Sequence, residues 1–277
     1  MIPLRVAAVE TALRLNGTSV DDNLAALRWG RLLAHAPDQL LALLAADTAP
    51  ENQDAMREPA AAIGYFAAQL TTYQNAAYAT RFKTVINSFI DRLTAAKIPT
   101  DAIAISAARV LFRAMAIKDE YEVARQLTSA DFIAKINMIG GEDMAVNYHL
   151  APPLLNWRKN RDGTPRKIRF GPWLTPVLRM IARLSWLRDS RIDPFGFTAE
   201  RKSERAHREA VINWLDQLGT NASSGQYEKI ETALELMLKI RGYGHVKAKN
   251  MTQYEQEISA IISTLSTQPP PFDIAAE

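Results

Sequence analysis

The side chains able to do acid, base or ligand chemistry in this chain are few and scattered. It carries four histidines, His35, His149, His207 and His245, and no cysteine. Without cysteine there are no disulfides, no thiolate nucleophiles and none of the usual ligands of an iron–sulfur cluster. No histidine has a partner histidine at helical or hairpin spacing, and no HExxH motif occurs. Glu204 and His207 stand one helical turn apart, which by itself is too little for a metal site. His149 is the one candidate acid or base. It follows a strand-like stretch and precedes the rigid Pro152-Pro153 pair. No nucleophile motif accompanies it, so a structural histidine bonded to backbone is the favoured reading.

Two further constellations carry charge. Arg241-Gly242-Tyr243-Gly244-His245-Val246-Lys247 places three basic side chains around two glycines. Such a stretch could cradle a phosphate. The plainer reading is a helix C-cap, with Gly242 ending the helix and Arg241 near its negative end. Asp119, Glu120 and Glu122 cluster at the end of a helical pattern. Paired carboxylates can do acid–base work, but Lys118 and Glu122 also suit an ordinary i,i+4 surface pair. A solvated or interdomain charge network is the favoured expectation.

The broadest electrostatic signal lies in residues 156–208, where 14 Lys and Arg face 5 acids. Arg158, Lys159, Arg166, Lys167 and Arg169 crowd its start, and Trp157, Trp173 and Trp186 are interleaved. A surface of this kind could meet an acidic protein or a phosphorylated ligand. Alternatively, several of the arginines pair inside the fold with Asp193, Glu200 and Glu204. The formal net charge is only +3, and no nucleic-acid motif is present, so nucleic acid is not expected as a partner.

These residues must be positioned by helices. With 48% hydrophobic and 23% charged residues, 277 residues can bury a sizeable core. Asn16-Gly17 separates helical stretches at 6–15 and 20–35, with Thr18 or Ser19 as a possible cap. Residues 37–46 suggest another helical turn or two. Thr48 to Pro59 reads as a linker. Apolar residues at three- and four-residue steps, from Ile63, Phe66 and Leu70 through Tyr73 and Ala77 to Phe82, Ile86, Phe89 and Leu93, predict one long helix over 60–97. Pro99-Thr100 breaks it, and a second long helix is expected over 101–127, making a hairpin. A short helix over 131–139 follows. Met144–Leu150 and Lys167–Phe170 read as two short strands turning at Asp162-Gly163. Further helices are expected at 172–187, 198–219, 224–241 and 251–266.

Several segments together resemble the C-terminal part of long-form indolepyruvate ferredoxin oxidoreductases. They are Lys118 to Arg125, then His149 to Leu155 with Phe170-Gly171-Pro172-Trp173. Asp193-Pro194-Phe195-Gly196-Phe197-Thr198 follows, with Glu200-Arg201 and Glu204-Arg205, and last Ile240 to Lys247. Ala12 to Gly17, with Asn23 and Trp29-Gly30-Arg31, is similar to the end of the gamma-type domain of that family. Tyr73 to Ala79 resembles the start of its uncharacterised C-terminal domain. The chain departs from the family at Asp189-Ser190, where Gly-Thr is usual, and it lacks the thiamine-diphosphate regions and the body of the gamma-type domain. The resemblance implies a parent enzyme that oxidatively decarboxylates aryl-pyruvates to aryl-acetyl-CoA. Thiamine diphosphate and coenzyme A serve that enzyme, and ferredoxin takes the electrons.

The expectation is therefore a mainly α protein, with a helical lead-in over 1–47 and a helical domain over 60–268 that holds a small β-hairpin. It is expected to be cytoplasmic and to have no membrane segment. It would bind no cofactor itself and would pack against the catalytic domains or subunits of the parent oxidoreductase. The alternative is a binding module for ferredoxin or a phosphorylated ligand such as coenzyme A. Its candidate contact residues are His149, Arg158, Lys159, Arg166, Lys167, Arg241, His245 and Lys247.

Overall fold

The computed structural model describes residues 4–38, 56–140, 145–151, 167–242 and 244–266. The chain divides into two units between residues 53 and 54. In the first, α1 (Val6–Asn16) and α2 (Val20–His35) are separated by Gly17 at φ +68, a left-handed turn that suits glycine. Neither Thr18 nor Ser19 caps α2 through its side chain. Ser19 takes the N-cap position at φ +42 without a side-chain bond. The turn is tied instead by the Asn23 amide, which donates to the Thr18 carbonyl at 2.8 Å. The expected turn of helix over 37–46 falls mostly outside the described residues.

The second unit is mainly α. Its first helices are α3 (Pro59–Tyr73), α4 (Ala76–Ala95) and α5 (Asp101–Met115), followed by α6 (Glu120–Leu127) and α7 (Ala130–Gly140). After the β ribbon come α8 (Leu174–Arg183), a 3₁₀ turn at Ser185–Leu187, α9 (Ala199–Thr220), α10 (Tyr227–Lys239) and α11 (Gly244–Ser266). Buried side chains of α3, α4, α5, α9, α10 and α11 form one core, with Leu70, Phe82, Ile86, Leu93, Leu111, Leu215, Leu218, Ile230 and Leu234 fully enclosed.

Each of the two long expected helices is broken once. Residues 60–97 form α3 and α4 because Asn75 leaves the helix and its side chain accepts the Tyr78 backbone N–H at 2.9 Å. The break shifts the buried stripe. Tyr78 and Ala79 turn inward and Ala77 faces solvent, against the continuous period. The second stretch breaks between Met115 and Glu120, where Asp119 caps α6 by accepting the Glu122 N–H at 2.8 Å. The turn between α4 and α5 stands where Pro99-Thr100 places it. Lys97 is left-handed there at φ +58, and the Ile98 N–H returns to the Leu93 carbonyl at 2.9 Å.

A small β ribbon pairs β1 (Tyr148–Leu150) with β2 (Ile168–Phe170) antiparallel, His149 opposite Arg169. The connecting turn expected at Asp162-Gly163 lies outside the described residues. Tyr148 is buried with Ala124, Leu174 and Leu178, so the ribbon, α6 and α8 share a second, smaller core. The Tyr148 hydroxyl and Thr175 hydroxyl are 2.9 Å apart, which joins the ribbon to the start of α8.

Candidate functional site

Both helix breaks point into one buried polar cluster. Its centre is Arg188, only 6% exposed, just after the 3₁₀ turn. Its Nε donates to Asp119 Oδ2 at 2.5 Å and its Nη2 to Asp119 Oδ1 at 2.9 Å. Its Nη1 donates to the Tyr73 carbonyl at the end of α3. The guanidinium also lies 3.7 Å from the centre of the Tyr73 ring. Burial opposes the charge on Arg188, but the hydrogen-bonded Asp119 outweighs it and raises the pKa.

A second layer surrounds this pair. The Tyr73 hydroxyl donates to Asp119 at 3.3 Å. The Tyr121 hydroxyl donates to Asp193 Oδ1 at 2.9 Å, and Asp193 also accepts the Phe195 N–H at 3.0 Å. Arg201 reaches Glu120 at 3.3 Å and the Lys118 carbonyl at 3.1 Å. Arg208 donates to Asp189 at 2.6 Å and to the Tyr78 hydroxyl at 3.1 Å. Burial raises the Tyr73, Tyr78 and Tyr121 pKa values, so these phenols stay neutral and serve as donors.

The expected pairings change accordingly. The carboxylates at 119–122 are not a solvated network. Asp119 is buried on Arg188, Glu120 meets Arg201, and Glu122 holds Arg125 through two bonds of 2.8 and 2.6 Å. Arginines of the basic segment do pair inside the fold, but with Asp119, Glu120 and Asp189. Asp193 takes a tyrosine and backbone N–H groups, and Glu204 takes Lys247 at 2.5 Å. Other basic residues described in this segment face outward. Lys167, Arg169, Arg179, Arg183 and Arg191 are exposed, and residues 167–188 contain no acid at all. Trp173, Met180 and Trp186 stand out on the same stretch, each more than half exposed.

The candidate contact residues therefore separate. His149 is exposed on β1, without an acid–base partner among the described residues. Lys167 is exposed at the start of β2. Arg158, Lys159 and Arg166 lie outside the described residues, as does the side chain of His245. Arg241 and Lys247 come together on a groove of about 610 Å³, which is also lined by Phe112, Arg113, Lys118, Arg125 and Glu200. Gly242 does not cap α10, which ends at Lys239. It lies in the connection at φ +104, and α11 starts at Gly244 rather than at 251, so Lys247 is helical.

Arg188 and Arg113 carry no motif, and the apolar period marked Tyr73 only as a stripe residue, not as a partner of Arg188. Asp119 did have a signal, an Asp with Glu three residues on at a helix start. Among the described residues no group of three or more His, Asp or Glu could hold a metal ion, and no helix is long and apolar enough to cross a membrane.

Fold and site thus define a mainly α domain braced by a buried Arg–Asp–Tyr cluster, with a charged groove beside it. The chain belongs to a family of unknown function, DUF6537, whose model matches residues 60–260 and so includes the whole cluster and the groove. No curated protein and no solved structure matches the chain.

Proposed function

We propose that this chain is the C-terminal structural and interaction part of an indolepyruvate-type 2-oxoacid:ferredoxin oxidoreductase and holds no catalytic centre of its own. One observation carries the reading: residues of the resembling segments are used to brace one another. Tyr73, Asp119, Tyr121, Asp193 and Arg201 hydrogen-bond or ion-pair across three of those segments, directly or through Arg188. Residues committed to such contacts hold helices in place and are not presented to a substrate. Thiamine diphosphate and coenzyme A, which the resemblance implies for the parent enzyme, belong in this reading to its catalytic domains.

The surface offered to those domains is the face of α8 and the turn after it. Trp173, Met180 and Trp186 provide exposed apolar area there, and exposed aromatic and methionine side chains are enriched at interfaces. Coexpression with a chain that carries the thiamine-binding and gamma-type regions tests the reading. Co-elution is expected, weakened by Trp186→Ala. Turnover of indolepyruvate by this chain alone, or separate elution, would overturn it.

A second reading, docking of an acidic protein such as ferredoxin, is favoured by the acid-free stretch from Lys167 to Arg188. Ferredoxin binding that weakens with salt and with Arg166→Ala plus Lys167→Ala supports it. Binding indifferent to both would exclude it.

A further inference from the structure

The groove beside the cluster carries an uncompensated charge that neither packing nor the interaction face uses. Arg113, on α5, donates from Nη1 to the Leu238 carbonyl at 3.4 Å. Arg241, after α10, donates from Nε to the same carbonyl at 2.9 Å. Two guanidiniums thus converge on one neutral acceptor at the end of a helix. Neither meets a carboxylate among the described residues. Burial, and then the neighbouring Arg241 and Arg109, lower the Arg113 pKa, as expected where like charges crowd together.

The rest of the groove does not neutralise them. Of its three lining carboxylates, Glu122 is held by Arg125 and Glu204 by Lys247. Against Arg113 and Arg241 stands one remaining lining carboxylate, Glu200, so the groove is net cationic. Backbone geometry adds to this. Gly242 at φ +104 allows the chain to turn sharply after Arg241, and α11 begins two residues later. The first turn of a helix has N–H groups without intrahelical acceptors and a positive dipole end. The Asn250 side chain fixes this turn by donating to the Arg241 carbonyl at 2.9 Å. Phe112, Ile117 and Ile240 give the groove an apolar wall.

We propose that this groove binds a phosphorylated small molecule, its phosphate on the Arg113 and Arg241 guanidiniums and its organic part against Phe112, Ile117 and Ile240. Planar guanidinium forks match phosphate oxygens, and a charge-assisted bond is about twice as strong as a neutral one. A volume near 610 Å³ is in the range of small-molecule sites. The site lies apart from the α8 face and does not depend on the parent enzyme proposed above.

Calorimetric titration of the purified full chain with adenosine diphosphate tests this, with inorganic pyrophosphate as competitor. Saturable binding is expected, displaced by pyrophosphate. It should weaken about tenfold in Arg113→Gln and again in Arg241→Gln, roughly one charge-assisted bond each. Arg241→Lys keeps the charge and the fold but loses the fork, and should also weaken binding. Circular dichroism of each variant checks that it is folded. Absence of saturable binding to the wild type would overturn the proposal. So would unchanged affinity in the folded arginine variants. Binding of pyrophosphate without adenosine diphosphate would reject an organic phosphate as the ligand.

Discussion

Arg188 and Asp119, 69 residues apart in sequence, meet in a two-point ion pair that is almost wholly enclosed. Each partner also holds a helix terminus. Asp119 caps α6, and Arg188 takes the last free carbonyl region of α3 at Tyr73. The pair therefore joins the start of one helix to the end of another, and the segment after α8 to both. An ion pair this buried contributes little net attraction, because desolvation offsets the Coulomb term. Its effect is to make one arrangement of these termini acceptable and others costly.

Removing one partner should accordingly be worse than removing both. Arg188→Met leaves Asp119 buried and uncompensated, and should destabilise the chain by about 3–5 kcal/mol. Asp119→Asn keeps a capping oxygen and strands the Arg188 charge. The double variant should cost clearly less than the sum of the two. Urea denaturation of the four proteins measures the coupling. Additive costs would show that the pair does not act as a unit.

Gly196 is predicted to be needed for space, not for backbone freedom. A Cβ there would lie 2.9 Å from Asp193 Oδ2, 3.1 Å from its Cγ and 3.3 Å from Arg205 Nη1. Asp193 cannot move away easily, since Tyr121 and the Phe195 N–H hold its other oxygen. Gly196→Ala should therefore destabilise by about 1–3 kcal/mol. A denaturation midpoint equal to that of the wild type would refute the packing account.

Much of this architecture was legible in the sequence, and what was not has a common cause. The apolar period gave the helical class, and the buried positions Phe66, Leu70, Phe82, Ile86, Phe89 and Leu93 lie on the predicted stripe. Period alone ran through Asn75 and Asp119, because a capping bond to one N–H interrupts a helix without interrupting its hydrophobic pattern. Arg241 and Lys247 were marked by glycine spacing, and the structure does bring them to one groove. Arg113 was invisible. Its significance comes from a carbonyl on α10 and from Arg241, both far away in sequence. Partners of charged residues depend on tertiary contacts, so the composition of residues 156–208 could not say which arginines turn inward.

Asp189 offers a test that separates strain from charge. It sits at φ +63, a region that non-glycine residues other than Asn and Asp seldom adopt, and its carboxylate accepts from Arg208 at 2.6 Å. Asp189→Ala loses the carboxylate and keeps a strained backbone. Asp189→Gly loses the carboxylate and relieves the backbone. The glycine variant should be about 1 kcal/mol more stable than the alanine variant. Equal stabilities by thermal unfolding would mean that the backbone there adjusts.

His207 should make the acid side of the stability profile steeper. It is 5% exposed on α9, its ring is edge-on to Trp214, and its Nδ1 has no hydrogen-bond partner among the described residues. Burial first, and then the nearby Lys247 ammonium, lower its pKa from 6.5 to about 4. The folded state thus disfavours the imidazolium, whereas the unfolded chain takes up the proton near 6.5. The contribution of this group to stability is complete above the unfolded pKa and is lost as pH falls from there toward about 4. Within that window the slope approaches about 1.4 kcal/mol per pH unit. His207→Phe keeps a ring against Trp214 and removes the titration, so its stability should fall less than that of the wild type over the same window. Urea unfolding at several pH values compares the two slopes, and parallel profiles would show that His207 is not the group responsible.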